Sequence, residues 1–256
     1  MSTASGPIDW ADWMRRWDAQ QQGYLPDREE RFAAMLDVLD ALLPPDFVAL
    51  DLACGPGSIS QRILARFPRA RCVAVDLDPV LLAMGRAVLG DGGGRLRWAE
   101  ADLSDPNWAA ALGEPRFDAA LSTTALHWLA PETLVRLYRD LGALVREGGV
   151  VLNGDNMPYA PHQPTLQALA DAATARHEQA AFGAHDAEDW QRWWSALAEE
   201  DAAADLLAER ARRFANRPND AMPIADLHEA AFRAAGFREV GTVWQHHDNR
   251  VLLAIR

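Results

Sequence analysis

The apolar positions of this chain change period several times, and each change marks an element. Over residues 8–43 the spacing is helical and predicts two helices. The second, "DREERFAAMLDVLDALL", sets Phe32, Met35, Leu36, Leu39, Leu42 and Leu43 on one face before Pro44-Pro45 stops it. Short unbroken apolar runs then alternate with helical stretches. "FVALDLA" (47–53), "RCVAVDL" (71–77), "RLRWAEAD" (95–102), "FDAALST" (117–123) and "GGVVLNGD" (148–155) read as strands. Between them lie a helix over 57–67, "DPVLLAMGRAVLG" with Asp78 placed to cap it, the short "DPNWAAAL" and the long "PETLVRLYRDLGALVR". Strands separated by helices imply right-handed crossovers and a mostly parallel sheet covered on both faces.

Residues 157–222 lose the strand pattern and are rich in Ala, Glu, Asp and Arg, which predicts two or three helices, roughly over 163–182 and 187–213. A helix, a turn at Gly236 and strands over 237–245 and 249–255 close the chain, and the short "HHDN" link makes the last two an antiparallel hairpin. The expected fold is α/β: a doubly wound, seven-stranded, mostly parallel sheet with an antiparallel C-terminal hairpin strand and a helical lid. The expected boundaries are 1–45 for the N-terminal part of the lid, 46–156 for the α/β core, 157–222 for the inserted part of the lid and 223–256 for the end of the core.

Charge and composition narrow the partners. A formal net charge of -12 over 256 residues opposes binding to phosphate backbones, so no nucleic acid is expected. Arg62, Arg66, Arg69 and Arg71 are the nearest thing to a basic patch, and their spacing reads as a solvated helical face. Cys54 and Cys72 form no metal-ligand pattern, so no metal is expected and a reducing compartment is the simpler setting. Without an apolar run of signal or membrane-spanning length, the reading is cytoplasmic with no membrane partner.

The stretch "VALDLACGPGSIS" (48–60) carries the first chemistry: a strand, two glycines one residue apart, then a helix start. A P-loop needs Gly-Lys-Ser/Thr, and here Gly57 is followed by Ser58-Ile59. A dinucleotide site is loosely satisfied by Gly55, Gly57 and Ser60, with Asp76 as the ribose acid one strand later. Against it stands Asp51, a carboxylate ahead of the glycines where a pyrophosphate would have to come. Asp102 at the end of the third strand suits the exocyclic amine of an adenine, and the antiparallel hairpin is foreign to an all-parallel nucleotide fold.

In this succession the chain resembles the class I S-adenosylmethionine-dependent methyltransferases. "DLACGPG", "VAVDLDP", "AEADLSD", "FDAALSTTALHWL" and "LGALVREGGVVLNGD" are similar to that family's ordered motifs over about 46–156, and the likeness resumes over about 224–256. Ala53 departs from the pattern by standing where the first motif has glycine. The resemblance implies S-adenosyl-L-methionine as cofactor. Asp51, Ala53, Gly55 and Gly57 would lie at its methionine end, Asp76 and Leu77 at the ribose, and Asp102 and Leu103 at the adenine. Ser122 and Thr123 would offer carbonyls to its ammonium, with His127 and Trp128 beside it.

His127 reads either as a general base or as packing along the adenine edge. His162 and Tyr24 are further catalytic candidates, and Tyr159 and His185 further polar groups at a pocket rim. Ten tryptophans include Trp10, Trp13 and Trp17 on one helical face and Trp190, Trp193 and Trp194 on another. They either pack the lid or wall a pocket for a small, partly apolar methyl acceptor. A NAD-linked oxidoreductase and a non-catalytic S-adenosylmethionine-binding protein are the alternatives.

Overall fold

The computed structural model describes residues 6–184, 187–215 and 221–256. Helices α1 (Trp10–Tyr24) and α2 (Arg28–Leu42) precede the sheet. Then follow β1 (Val48–Leu52), α3 (Ser58–Arg66), β2 (Arg71–Asp76), α4 (Pro79–Leu89), β3 (Leu96–Glu100), β4 (Phe117–Thr123), α5 (Pro131–Leu144) and β5 (Val145–Asn156). The insert holds α6 (Pro164–Ala184), α7 (Trp190–Leu197) and α8 (Ala204–Phe214), and the chain closes with α9 (Ala225–Ala234), β6 (Glu239–His246) and β7 (Asn249–Ile255). The seven strands run in the order β3-β2-β1-β4-β5-β7-β6. Strands β1 to β5 run parallel to one another, and β7 runs antiparallel to both β5 and β6.

Strand alternation divides the core between the two faces. Val48, Leu50, Leu52 and Val151 face α5 and α9, where Leu134, Tyr138, Leu141 and Phe232 close one layer. Ala49, Val150 and Leu152 face α2 and α3, with Phe32, Met35, Leu39, Ile59 and Ile63. The same alternation assigns the polar members: Asp51 falls on the α3 side of β1, while Asn153 and Asp155 fall on the α5 side of β5. Leu42, expected on the apolar face of α2, is exposed at the helix end.

The insert carries three helices, within the two or three expected. The helical stretch expected over 187–213 is divided into α7 and α8 by a 3-10 turn at Asp201–Ala203. Asp189 sets the start of α7 by accepting the Arg192 N–H at 2.8 Å. The acidic run Glu199-Glu200-Asp201 follows its end, with Glu200 in an extended conformation. The tryptophans do pack the lid. Trp193 is buried with ring centroids 5.3 Å from both Trp13 and Trp17, and this cluster rests on Val80, Leu81 and Met84 of α4. On α3, Arg62 pairs with Glu29, Arg66 with Asp37 and Asp40 of α2, and Arg71 of β2 with Glu114. Among the described residues no helix is long and apolar enough to cross a membrane, and no cluster of three or more His, Cys, Asp or Glu is placed to hold a metal.

Candidate active site

The carboxyl ends of the parallel strands form one rim, and the glycine loop leaves it from β1. Three of its residues have positive φ: Ala53 at 50°, Gly55 at 54° and Gly57 at 88°. A Cβ on Gly55 would meet only Leu81 at 3.7 Å, so that backbone is open to a neighbour. At Gly57 a Cβ would lie 2.7 Å from the Trp98 ring, so the lack of a side chain here also serves the packing of α3 and α4 on β3.

Three strand-tip carboxylates are already engaged. Asp51 accepts from Ser60 Oγ at 2.6 Å and from the Ser60 N–H at 3.2 Å, which ties the end of β1 to the first turn of α3. Burial pushes its carboxyl up to about 7 against those hydrogen bonds. Asp76 accepts the Gly55 N–H on Oδ2 and the Asp78 N–H on Oδ1, each at 2.7 Å. Burial raises it to about 6, opposed by those amides. Asp78 caps α4, accepting from the Val80 and Leu81 N–H groups at 3.0 and 3.3 Å. Asp102 accepts the Ser104 N–H at 2.7 Å and shapes the turn after β3. Leu103 is buried, and its carbonyl accepts from Arg136.

At the next tip, Ser122 is buried and its hydroxyl donates to the Leu52 carbonyl at 3.0 Å, bracing β4 against β1. Thr123 ends the strand, and Thr124 follows with φ 55°. The 3-10 turn Leu126–Trp128 then brings His127 over the end of β5. His127 Nδ1 lies 2.7 Å from Asp155 Oδ1, and the His127 N–H donates to Asp155 Oδ2 at 3.1 Å. Burial opposes ionisation of Asp155, yet His127, Arg31 and His228 together hold it below the usual carboxylate range. Trp128 beside it is 47% exposed, with its ring 4.8 Å from that of His127.

Arg31 completes this corner and was not among the expected site residues. It is fully buried, donates to Asn249 Oδ1 at 2.9 Å and to Thr124 Oγ1, and has no hydrogen-bond partner for Nε. The absence of a side chain on Gly154 makes room for it, since a Cβ there would lie 3.2 Å from Arg31 Cδ. A signal existed in the sequence. Arg28 and Arg31 continue the stripe of Phe32, Met35 and Leu39, and a cation on an apolar stripe of helix calls for a partner. Asp155 was equally legible as an acid ending an apolar strand, like Asp51 and Asp76.

Two catalytic candidates fall elsewhere. The Tyr24 hydroxyl accepts the Trp190 N–H at 2.9 Å, and its ring lies 4.6 Å from Phe182, so Tyr24 fastens α1 to α6 and α7. His162 is exposed on the turn before α6 and takes no hydrogen bond among the described residues. Tyr159 lies over the β6–β7 hairpin, beneath the Arg250 guanidinium. His185 lies outside the described residues.

Residues 49–149 match a family model described as a methyltransferase domain. A trans-aconitate 2-methyltransferase of Methylobacterium radiotolerans is 31% identical over 94% of this chain and 95% of its own length. The chain belongs to the class I S-adenosylmethionine-dependent methyltransferases. Another protein of the same name, from Streptomyces avermitilis, is 32% identical over 64% of this chain, and the match spans 63% of that relative. Among solved structures, DesVI of Streptomyces venezuelae superposes with a TM-score of 0.59 over 98% of this chain and 99% of its own, at 15% identity. PigF, solved with SAH, gives 0.54 over 98% and 63%, at 15% identity. These likenesses show the fold, and S-adenosylmethionine is the family's cofactor. The same membership disfavours the NAD-linked alternative.

Proposed function

We propose that the chain transfers the methyl group of S-adenosylmethionine to a carboxylate oxygen of a small di- or tricarboxylic acid. The strand tips fit that cofactor. Its sulfonium and ammonium are cationic and suit a rim that carries Asp51 and Asp76. Its carboxylate requires a buried cation, and the partnerless Nε of Arg31 supplies one donor there. Asp76 and Leu77 would hold the ribose, Asp102 and Leu103 the adenine, and the backbone of Ala53 to Gly55 the methionine end. Thr123 would offer its carbonyl to the ammonium. When bound, the cofactor supplies an activated methyl group on sulfur.

The observation that carries the acceptor class is the His127–Asp155 pair at 2.7 Å. The Asp155 carboxylate on Nδ1 orients the ring, and in its imidazolium form the Nε2–H would donate to an acceptor carboxylate. A carboxylate has no proton to lose, so the protein's task is to orient it and exclude water, and proximity of that kind is worth roughly 7–11 kcal/mol. Two relatives named for trans-aconitate support the class. In a chain of net charge -12, an acidic acceptor also needs such a local cation.

The test is a panel of small acids, phenols and amines offered with labelled S-adenosylmethionine, with products read by mass spectrometry. Methyl esters of di- and tricarboxylic acids are expected, and turnover confined to phenols or amines would overturn the proposal. The pH profile separates the roles of His127. An imidazolium donor makes kcat/KM fall as pH rises through the histidine pKa, whereas a general base makes it rise.

A further inference from the structure

Helix α8 lies across the tips of β2 and β3, and it is bound there by two arginines. Arg213 donates through Nη1 to the Leu77 carbonyl at 2.8 Å, and its Nη2 lies 2.7 Å from Glu100 Oε1. Its Nε donates to Glu209 Oε1 at 2.6 Å, so the planar fork is fixed on three sides. Arg210, one turn earlier, donates from Nε to Asp78 Oδ2 at 2.6 Å, while its guanidinium stacks 3.8 Å above the Trp194 ring. Leu77 immediately follows Asp76, and Glu100 stands two residues before Asp102. The Arg213 fork therefore bridges the two strand tips to which the ribose and adenine ends of the cofactor are assigned.

We propose that α8, through Arg213 and with Arg210 behind it, forms the outer wall of the adenosine site and sets how long the cofactor is held. The inference rests on the cofactor placement proposed above. It gives the insert a second task beyond covering the acceptor, because the segment that closes the lid is hydrogen-bonded to the residues flanking the ribose acid. The contacts suit this use. Glu100 and Arg213 are partly solvent-exposed, so their pairing contributes little to folding and can open and re-form as the cofactor enters and leaves. A carbonyl and a carboxylate on two different strands fix the guanidinium plane, which a lysine cannot reproduce.

The full-length protein is tested by chasing bound, labelled S-adenosylmethionine with excess unlabelled cofactor. Hydrogen exchange of α8 is followed with and without cofactor. In the wild type the cofactor is expected to slow exchange in α8. R213A and R213K are expected to release the cofactor roughly tenfold faster, the scale of one charge-assisted hydrogen bond, to lose the α8 protection, and to unfold at the wild-type temperature without cofactor. Glu100→Gln, which leaves the helix untouched, is expected to act in the same direction. Unchanged release and protection would make Arg213 a structural tie and overturn the proposal, as would slower release, which would make it a plug. Failure of the underlying placement is separately visible, because Asp76→Ala would then leave cofactor affinity unchanged whatever the Arg213 variants do.

Discussion

Ala53 holds a backbone conformation that a side chain resists. With φ at 50° it occupies the left-handed region, which costs a non-glycine residue roughly 1–2 kcal/mol. Ala53→Gly should therefore stabilise the protein by about 0.5–1 kcal/mol, after the extra chain entropy of glycine is counted. Urea unfolding of the two proteins measures it directly. Asp51 gives a second prediction, in pH. Its folded value of about 7 lies above an ordinary carboxylate, so the native state keeps a proton that the unfolded chain has released. That contribution is full below about pH 4 and is lost as pH rises through 7. His228 acts oppositely: burial lowers it to about 4, so its contribution is lost as pH falls from about 6.5 through 4. The comparison that isolates Asp51 is with Asp51→Asn, which should melt higher than the wild type at pH 8 and no higher at pH 4, while binding the cofactor more weakly. Since Asp51 and Asp76 favour a cationic ligand only when ionised, cofactor affinity of the wild type should rise between pH 5.5 and 8, as titration calorimetry would show.

At the scale of elements, the lid is held by aromatic packing, with Trp193 at its centre. Trp193→Ala removes the ring that touches Trp13, Trp17 and Trp194, and loss of a buried indole costs about 3–5 kcal/mol. Its indole N–H has no hydrogen-bond partner, so Trp193→Phe keeps the edge contacts at a cost of about 1 kcal/mol. Hydrogen exchange of α1 and α7 should rise steeply in the first variant and little in the second. The helices and strands themselves were largely legible because their signals are local. Periodicity, Asp78 as a cap and proline stops fix an element without reference to its neighbours. The position of the break between α7 and α8 was not legible, because Ala, Glu and Asp alternate there without glycine or proline, and the 3-10 turn arises as α7 packs on α1 while α8 lies on α4.

For the whole molecule, binding to the folded state must appear as added stability. At a cofactor concentration of 100 Kd the gain is about 2.7 kcal/mol. For a chain of this size that raises Tm by roughly 5–10 °C. Thermal unfolding should show this shift with S-adenosylmethionine and none with NAD.

The sequence by itself determined the sheet, the order of its motifs and the cofactor they suit, because each of those rests on residues close together along the chain. Asp51, Asp76 and Asp102 were legible for that reason, each ending an apolar strand. Tertiary structure decided which polar groups meet. It turned Gly57 toward Trp98, committed Tyr24 to the lid, left His162 on an exposed turn, and joined His127 to Asp155 and Arg31 to Thr124. Those pairings span up to 166 residues and depend on which face of a strand or helix each side chain occupies once the layers have closed. Local pattern assigns a residue to an element, whereas only the packed sheet assigns it a partner.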